Sequence, residues 1–148
     1  MFNKYKEKVI NRIIRHCMTT YTPIDLDDMV LGDLLFNRKC HLNAVQRVKE
    51  NKAKEVYLCV CIARESNDVI VHFINKNEDD KYVDNTLGWC YKAYTYYIVR
   101  KIEENEYNNI SDILANMKKE LVFKHSNKIM RKLAQIDYDN YVDRKSTR

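Results

Sequence analysis

Glu55-Val56-Tyr57-Leu58-Cys59-Val60-Cys61-Ile62-Ala63 is nearly unbroken apolar and rich in β-branched residues. That pattern marks a central strand buried on both faces, not one that alternates between core and water. Val69 to Ile74 reads as a second strand. The polar stretch Asn75-Lys76-Asn77-Glu78-Asp79-Asp80 then turns the chain back into Lys81-Tyr82-Val83-Asp84, a third. Three strands in short succession predict an antiparallel meander.

Helical periodicity surrounds this sheet. Val9, Ile10, Ile13 and Ile14 recur at helical spacing between Lys, Arg and Asn, so residues 3 to about 17 form an amphipathic helix. Pro23 and the acids Asp25, Asp27 and Asp28 break that pattern. Met29 to Phe36 is a short apolar run that fits either a strand or a helix, and a second helix begins near Cys40 and runs through Ala44, Val45 and Val48 to about Asn51. From Cys90 the period returns to helical, with Tyr94, Tyr97, Ile98 and Ile102 on one side. Asn109 or Ser111 caps a further helix through about Lys119, Asn127 to Ile136 is a last one, and 138–148 is a polar tail that frays. The expectation is an α+β fold: a small antiparallel sheet of about three or more strands, a helix starting at Cys40 packed on it, and further helices before and after.

The chain has 148 residues, enough for one core but not two, so 1–148 is read as a single domain. It is 45% apolar and 32% charged, which excludes a long disordered chain, and 2 Gly with 1 Pro are too few for a loop-built or collagenous scaffold. No window offers the roughly 18 consecutive apolar residues of a membrane span. Charges interrupt the only N-terminal apolar run, so a signal peptide is not expected and the protein is placed in the cytoplasm, without a membrane partner. Five cysteines, an odd number with no Cys-x-x-Cys pair, argue against a disulfide framework and a zinc ribbon.

Three residues carry chemistry. Cys40 stands where a loop enters a helix, and orphan amides and the macrodipole at that end favour a thiolate. His72 lies inside an apolar strand, where burial demands a polar partner. Asp84 ends the next strand. With a turn centred near Asn77 to Asp79, the strand partner of His72 falls close to Asp84, so a carboxylate can fix the imidazole tautomer with the Cys40 helix packed over the same face.

A Cys at a helix start, a strand, a His strand and an Asp strand resemble the core of papain-like cysteine hydrolases in transglutaminase order. The 32 residues from Cys40 to His72 and 12 from His72 to Asp84 are similar to the compact members. Val71-His72-Phe73-Ile74-Asn75 followed by Tyr82-Val83-Asp84-Asn85-Thr86 resembles the family's His strand, turn, and Asp followed by a small residue and Thr. The resemblance covers about residues 36–88. It implies Cys40 as nucleophile, His72 as general base and acid, Asp84 as orienting carboxylate, and an oxyanion hole from the Cys40 amide with a donor shortly before it, for which Asn37 is the nearest candidate. It also implies acyl transfer on an amide of a protein, peptide or small molecule, with no cofactor. Relatives often follow the nucleophile with an aromatic or small residue; here His41 stands there, able to aid thiolate formation or to face solvent. Trp89 could wall a substrate cleft or belong to the core.

Each residue also has a plainer reading. Cys17, Cys59, Cys61 and Cys90 read as structural thiols. Cys40 has polar neighbours in Arg38, Lys39 and His41, which point to exposure. The tyrosines from Tyr91 to Tyr97 read as a packed helix face, no Gly-rich phosphate loop exists, and neither His16–Cys17 nor Cys40–His41 has a partner pair at metal-ligand spacing. The competing function is electrostatic. Lys118, Lys119, Lys124, Lys128, Arg131 and Lys132 stand against Glu120 alone, a local net of +5, and such a surface could bind nucleic acid or a nucleotide-like anion without catalysis. A solvated helix face explains the same run. The Asn-, Lys-, Ile- and Tyr-rich composition suits a phage or viral protein, an effector acting in the host cytoplasm.

Overall fold

A computed structural model describes residues 2–33 and 39–134. The amphipathic N-terminal pattern forms α1 (Phe2–Thr20), which buries Val9, Ile13 and Cys17. Two short strands follow, β1 (Thr22–Pro23) and β2 (Met29–Val30), joined by a 3-10 turn whose cap, Asp25, accepts from the Asp27 amide. Then come α2 (Cys40–Lys49), β3 (Glu55–Ala63), β4 (Val69–Lys76) and β5 (Tyr82–Val83). A 3-10 segment (Gly88–Ala93) leads into β6 (Tyr94–Ile102), and α3 (Ile110–Lys124) and α4 (Lys128–Ala134) follow.

The architecture is α+β, with a larger sheet than the meander expected from the sequence. Six strands run in the order β1-β6-β3-β4-β5-β2, antiparallel except for β2, which lies parallel to β5. β3 is the central strand its apolar run demanded. Leu58, Val60 and Ile62 face a core shared with α1, α2 and α3, while Cys59, Cys61 and Ala63 face a second core closed by Ile24, Met29, Tyr91, Tyr94 and Tyr96.

The helix expected after Cys90 is a strand. Tyr94, Tyr96 and Ile98 alternate onto the second core, but the pairing with β3 slips by one residue between Leu58 and Cys59, so Ile102 emerges on the helix-packed face instead. A bulge of this kind shifts the alternation by one and leaves apolar residues at spacings that imitate a helical stripe.

The turn between β4 and β5 follows from its residues. The Asn77 side chain accepts from the amides of Asp79 and Lys81, and Asp80 takes the left-handed φ of 58° that Asp tolerates better than most residues. β5 pairs with β4 only at Asn75–Val83 and Lys76–Tyr82. Beyond that point no strand among the described residues covers the outer edge of β4, and the N-terminus of α2 approaches this edge.

Candidate active site

Cys40, His72 and Asp84 converge in the interior. Each is buried, the His72 and Asp84 side chains to within 2% of complete enclosure. His72 Nε2 donates to Asp84 Oδ2 at 2.8 Å, which leaves Nδ1 as the ring nitrogen for the thiol. The other Asp84 oxygen accepts from the amides of Thr86 and Leu87, both at 2.9 Å, and the Tyr96 hydroxyl donates to Oδ2 beside His72. Four donors therefore hold one carboxylate, the condition under which a buried charge is tolerated.

The assembly differs from the sequence expectation in two respects. Continuing the observed register would set Asp84 against Ile74 and not His72. Parity still keeps both side chains on one face, and the carboxylate reaches His72 on the diagonal. α2 also packs on the opposite face from His72: Cys40, Ala44 and Val45 join Val71 and Phe73, whereas His72 shares its side with Ile70, Ile74 and Tyr96. Cys40 consequently meets His72 around the uncovered edge of β4, where the Phe73 amide hydrogen-bonds the sulfur.

Electrostatics follow from this enclosure. Cys40 is buried rather than exposed, and burial pushes its thiol up; the His72 charge, hydrogen bonds with the His41 and His72 side chains, and the Phe73 amide outweigh that and bring it down to about 6. Burial lowers His72, but the Asp84 and Cys40 charges and their hydrogen bonds hold it well above the usual imidazole range. Asp84 is likewise raised by burial and pulled below its ordinary value by His72, Tyr96 and the Leu87 amide. Near neutral pH the pair is thus thiolate and imidazolium. Cys59, directly across from His72 on β3, and Cys61 are pushed well above the thiol range by burial and stay neutral, as structural thiols should. Cys17 is pushed up to about 12 for the same reason.

A shell of amides that the sequence reading did not single out locks the elements together. Asn75, buried on β4, donates to the Ala44 carbonyl of α2 and the Glu55 carbonyl of β3, and accepts from Asn85. Asn85 in turn accepts from the Asp33 amide, and Asn43 on α2 donates to Thr86 Oγ1 at 2.9 Å. Asp33 also pairs with Arg47. Gly32 lies against the Asp84 backbone so closely that an added Cβ would stand 2.4 Å from its carbonyl oxygen. The signal available in sequence was the polar residue at an apolar strand position, Asn75, together with Asn43 one turn after Cys40.

Of the remaining candidates, His41 is buried beside Cys40, Trp89 lies in the 3-10 segment after the Asp84 loop, and Asn37 falls outside the described residues. The basic run divides between α3 and α4. Lys118 is buried, Lys119 and Arg131 lie over the Phe123 ring at 5.7 and 4.0 Å, and Lys119, Lys124, Lys128 and Lys132 are exposed. Among the described residues no group of three or more His, Cys, Asp or Glu could hold a metal ion, and no helix is long and apolar enough to cross a membrane. Comparison with protein-family models, curated proteins and solved structures finds no match.

Proposed function

We propose that the chain is a small thiol hydrolase or acyltransferase of papain-like type in transglutaminase order, acting on an amide bond of a protein, peptide or small molecule. The observation that carries this reading is the buried relay: a thiol at the start of α2 with a value of about 6, an imidazole beside it, and a carboxylate 2.8 Å from that imidazole. A structural cysteine has no use for such a partner set. The Cys40 thiolate attacks the carbonyl carbon, and the Cys40 backbone amide is the donor for the developing oxyanion. His72 gives its proton to the leaving amine, and a thioester remains on Cys40. His72, now neutral, takes a proton from water or an acceptor amine, which attacks the thioester and releases the thiolate. Asp84 keeps the ring oriented and offsets its charge throughout.

The Asn-, Lys-, Ile- and Tyr-rich composition suits a cytoplasmic setting, the host cytoplasm for a phage or viral effector. The activity is tested with 4-nitrophenyl acetate, followed by mass spectrometry of the protein. Acetylation at Cys40 that turns over in the wild type and disappears in His72→Ala supports the reading. Acetylation that avoids Cys40, or that is indifferent to His72, overturns it.

A further inference from the structure

His41 is the one residue at the site whose burial nothing described above explains. It is 8% exposed, packs its ring 6.5 Å from that of Phe73, and hydrogen-bonds through its side chain with the Cys40 sulfur. Its Nδ1 is fully enclosed and, among the described residues, has no hydrogen-bond partner. An idle buried nitrogen of this kind destabilises the fold, so a core position would favour an apolar ring in its place.

Resting on the proposed thiol chemistry, we infer that His41 is a positioning residue: a second imidazole that donates a hydrogen bond to the Cys40 thiolate and so divides its stabilisation with His72. The two rings have different surroundings. His72 has a carboxylate at 2.8 Å and can carry a full charge in the interior. His41 has no such counter-ion at its idle nitrogen, so what it offers the sulfur is a single hydrogen bond and not a paired charge. The thiolate is then held by the His72 charge and the His41 side chain, with the Phe73 amide as a third donor. The other titratable groups nearby leave this division intact. Asp84 acts through His72, and Cys59 on β3 stays protonated.

The test is the thiolate ultraviolet absorbance as a function of pH, taken as the difference from Cys40→Ser, for wild type, His72→Ala, His41→Phe and His41→Gln. His41→Phe keeps a ring of similar size and removes the donor; His41→Gln keeps a donor. The expected result is a midpoint about one pH unit higher in His41→Phe, a roughly tenfold smaller thiolate-to-thiol ratio below it, with most of that shift restored in His41→Gln. A His41→Phe midpoint equal to wild type overturns the inference, as does a shift of equal size in Gln, which would mark a packing role. The wild-type and His72→Ala curves separate this failure from that of the parent reading. If the wild type titrates as an ordinary thiol and His72→Ala does not move it, the Cys40–His72 pair itself is wrong. His41→Asn repeats the comparison if the Phe variant does not fold.

Discussion

Asp84 is the residue on which the site's chemistry turns, since four donors converge on its carboxylate and two of them, His72 and Tyr96, come from different strands. Asp84→Asn keeps the shape and removes the charge. It should raise the Cys40 midpoint from about 6 toward the ordinary thiol range, cut ester turnover severely, and lower stability in urea by about 3 kcal/mol, because the imidazolium would be left buried without its anion. Tyr96→Phe removes a single hydroxyl and should cost about 1–2 kcal/mol in the same assay while most turnover survives. A Tyr96→Phe loss as large as that of Asp84→Asn would mean that the tyrosine, not the imidazole, governs the carboxylate. Cys40, His72 and Asp84 stood out in the sequence as a thiol at a helix start, a His inside an apolar strand and an Asp ending the next strand. Tyr96 did not, since reading 90–102 as a helix placed it on the wrong element.

At the level of elements, the site depends on how α2 is fastened to the edge of β4. Asn75 bridges α2 to β3, and Gly32 lets the segment before Cys40 lie against the Asp84 loop. Gly32→Ala forces a Cβ to within 2.4 Å of the Asp84 carbonyl oxygen and 2.8 Å of Val83 Cγ1, and one of the two segments must move. The expected outcome is a loss of about 1–3 kcal/mol together with a raised Cys40 midpoint; a stability loss with an unchanged midpoint would show that the loop moves without the carboxylate. The exposed lysines of α3 and α4 belong to a separate surface. Joint replacement of Lys124, Lys128 and Lys132 by Glu should leave turnover of a neutral ester unchanged. What the sequence disclosed at this scale were elements with one clean period: α1, the Cys40 helix and the doubly buried β3. It concealed β6, whose bulge mixes two alternations, and the two-residue strands β1 and β2, which are too short to carry a period; β5 falls within the third strand expected at Lys81–Asp84.

For the whole molecule, the triad couples folding to pH in a way that separates its members. Cys40 falls from 9.0 to about 6 on folding, so its contribution is complete above 9.0 and is lost as pH falls toward 6. His72 is raised well above 6.5, so its contribution is complete below 6.5 and is lost as pH rises through its folded value. From 6.5 upward, until pH reaches the folded value of His72 or 9.0, the two slopes oppose each other, and over that window the pair folds with little net proton exchange. Asp84, lowered from 3.8, adds a contribution lost as pH falls below that value. Cys40→Ser removes one side of the balance. Relative to wild type, its stability should decline with rising pH across that window by up to about 1.4 kcal/mol per unit, read from denaturant midpoints. Parallel pH profiles would mean that no thiolate forms in the folded protein. The α+β class was legible from composition and the run of periods, whereas the mixed six-stranded sheet and the division of the interior into a core on each face of β3 depend on long-range pairings that no local pattern encodes.

The most direct test of the Cys40–His72 pair is the rate of alkylation at each of the five cysteines as a function of pH, resolved by mass spectrometry in wild type and His72→Ala under conditions where the site admits a small reagent. Cys40 should react with a midpoint near 6 while Cys17, Cys59 and Cys61 stay inert, and His72→Ala should shift that midpoint upward by well over one pH unit. A Cys40 profile with the midpoint of a free thiol, about 8.5, and unchanged by His72→Ala would contradict that pairing.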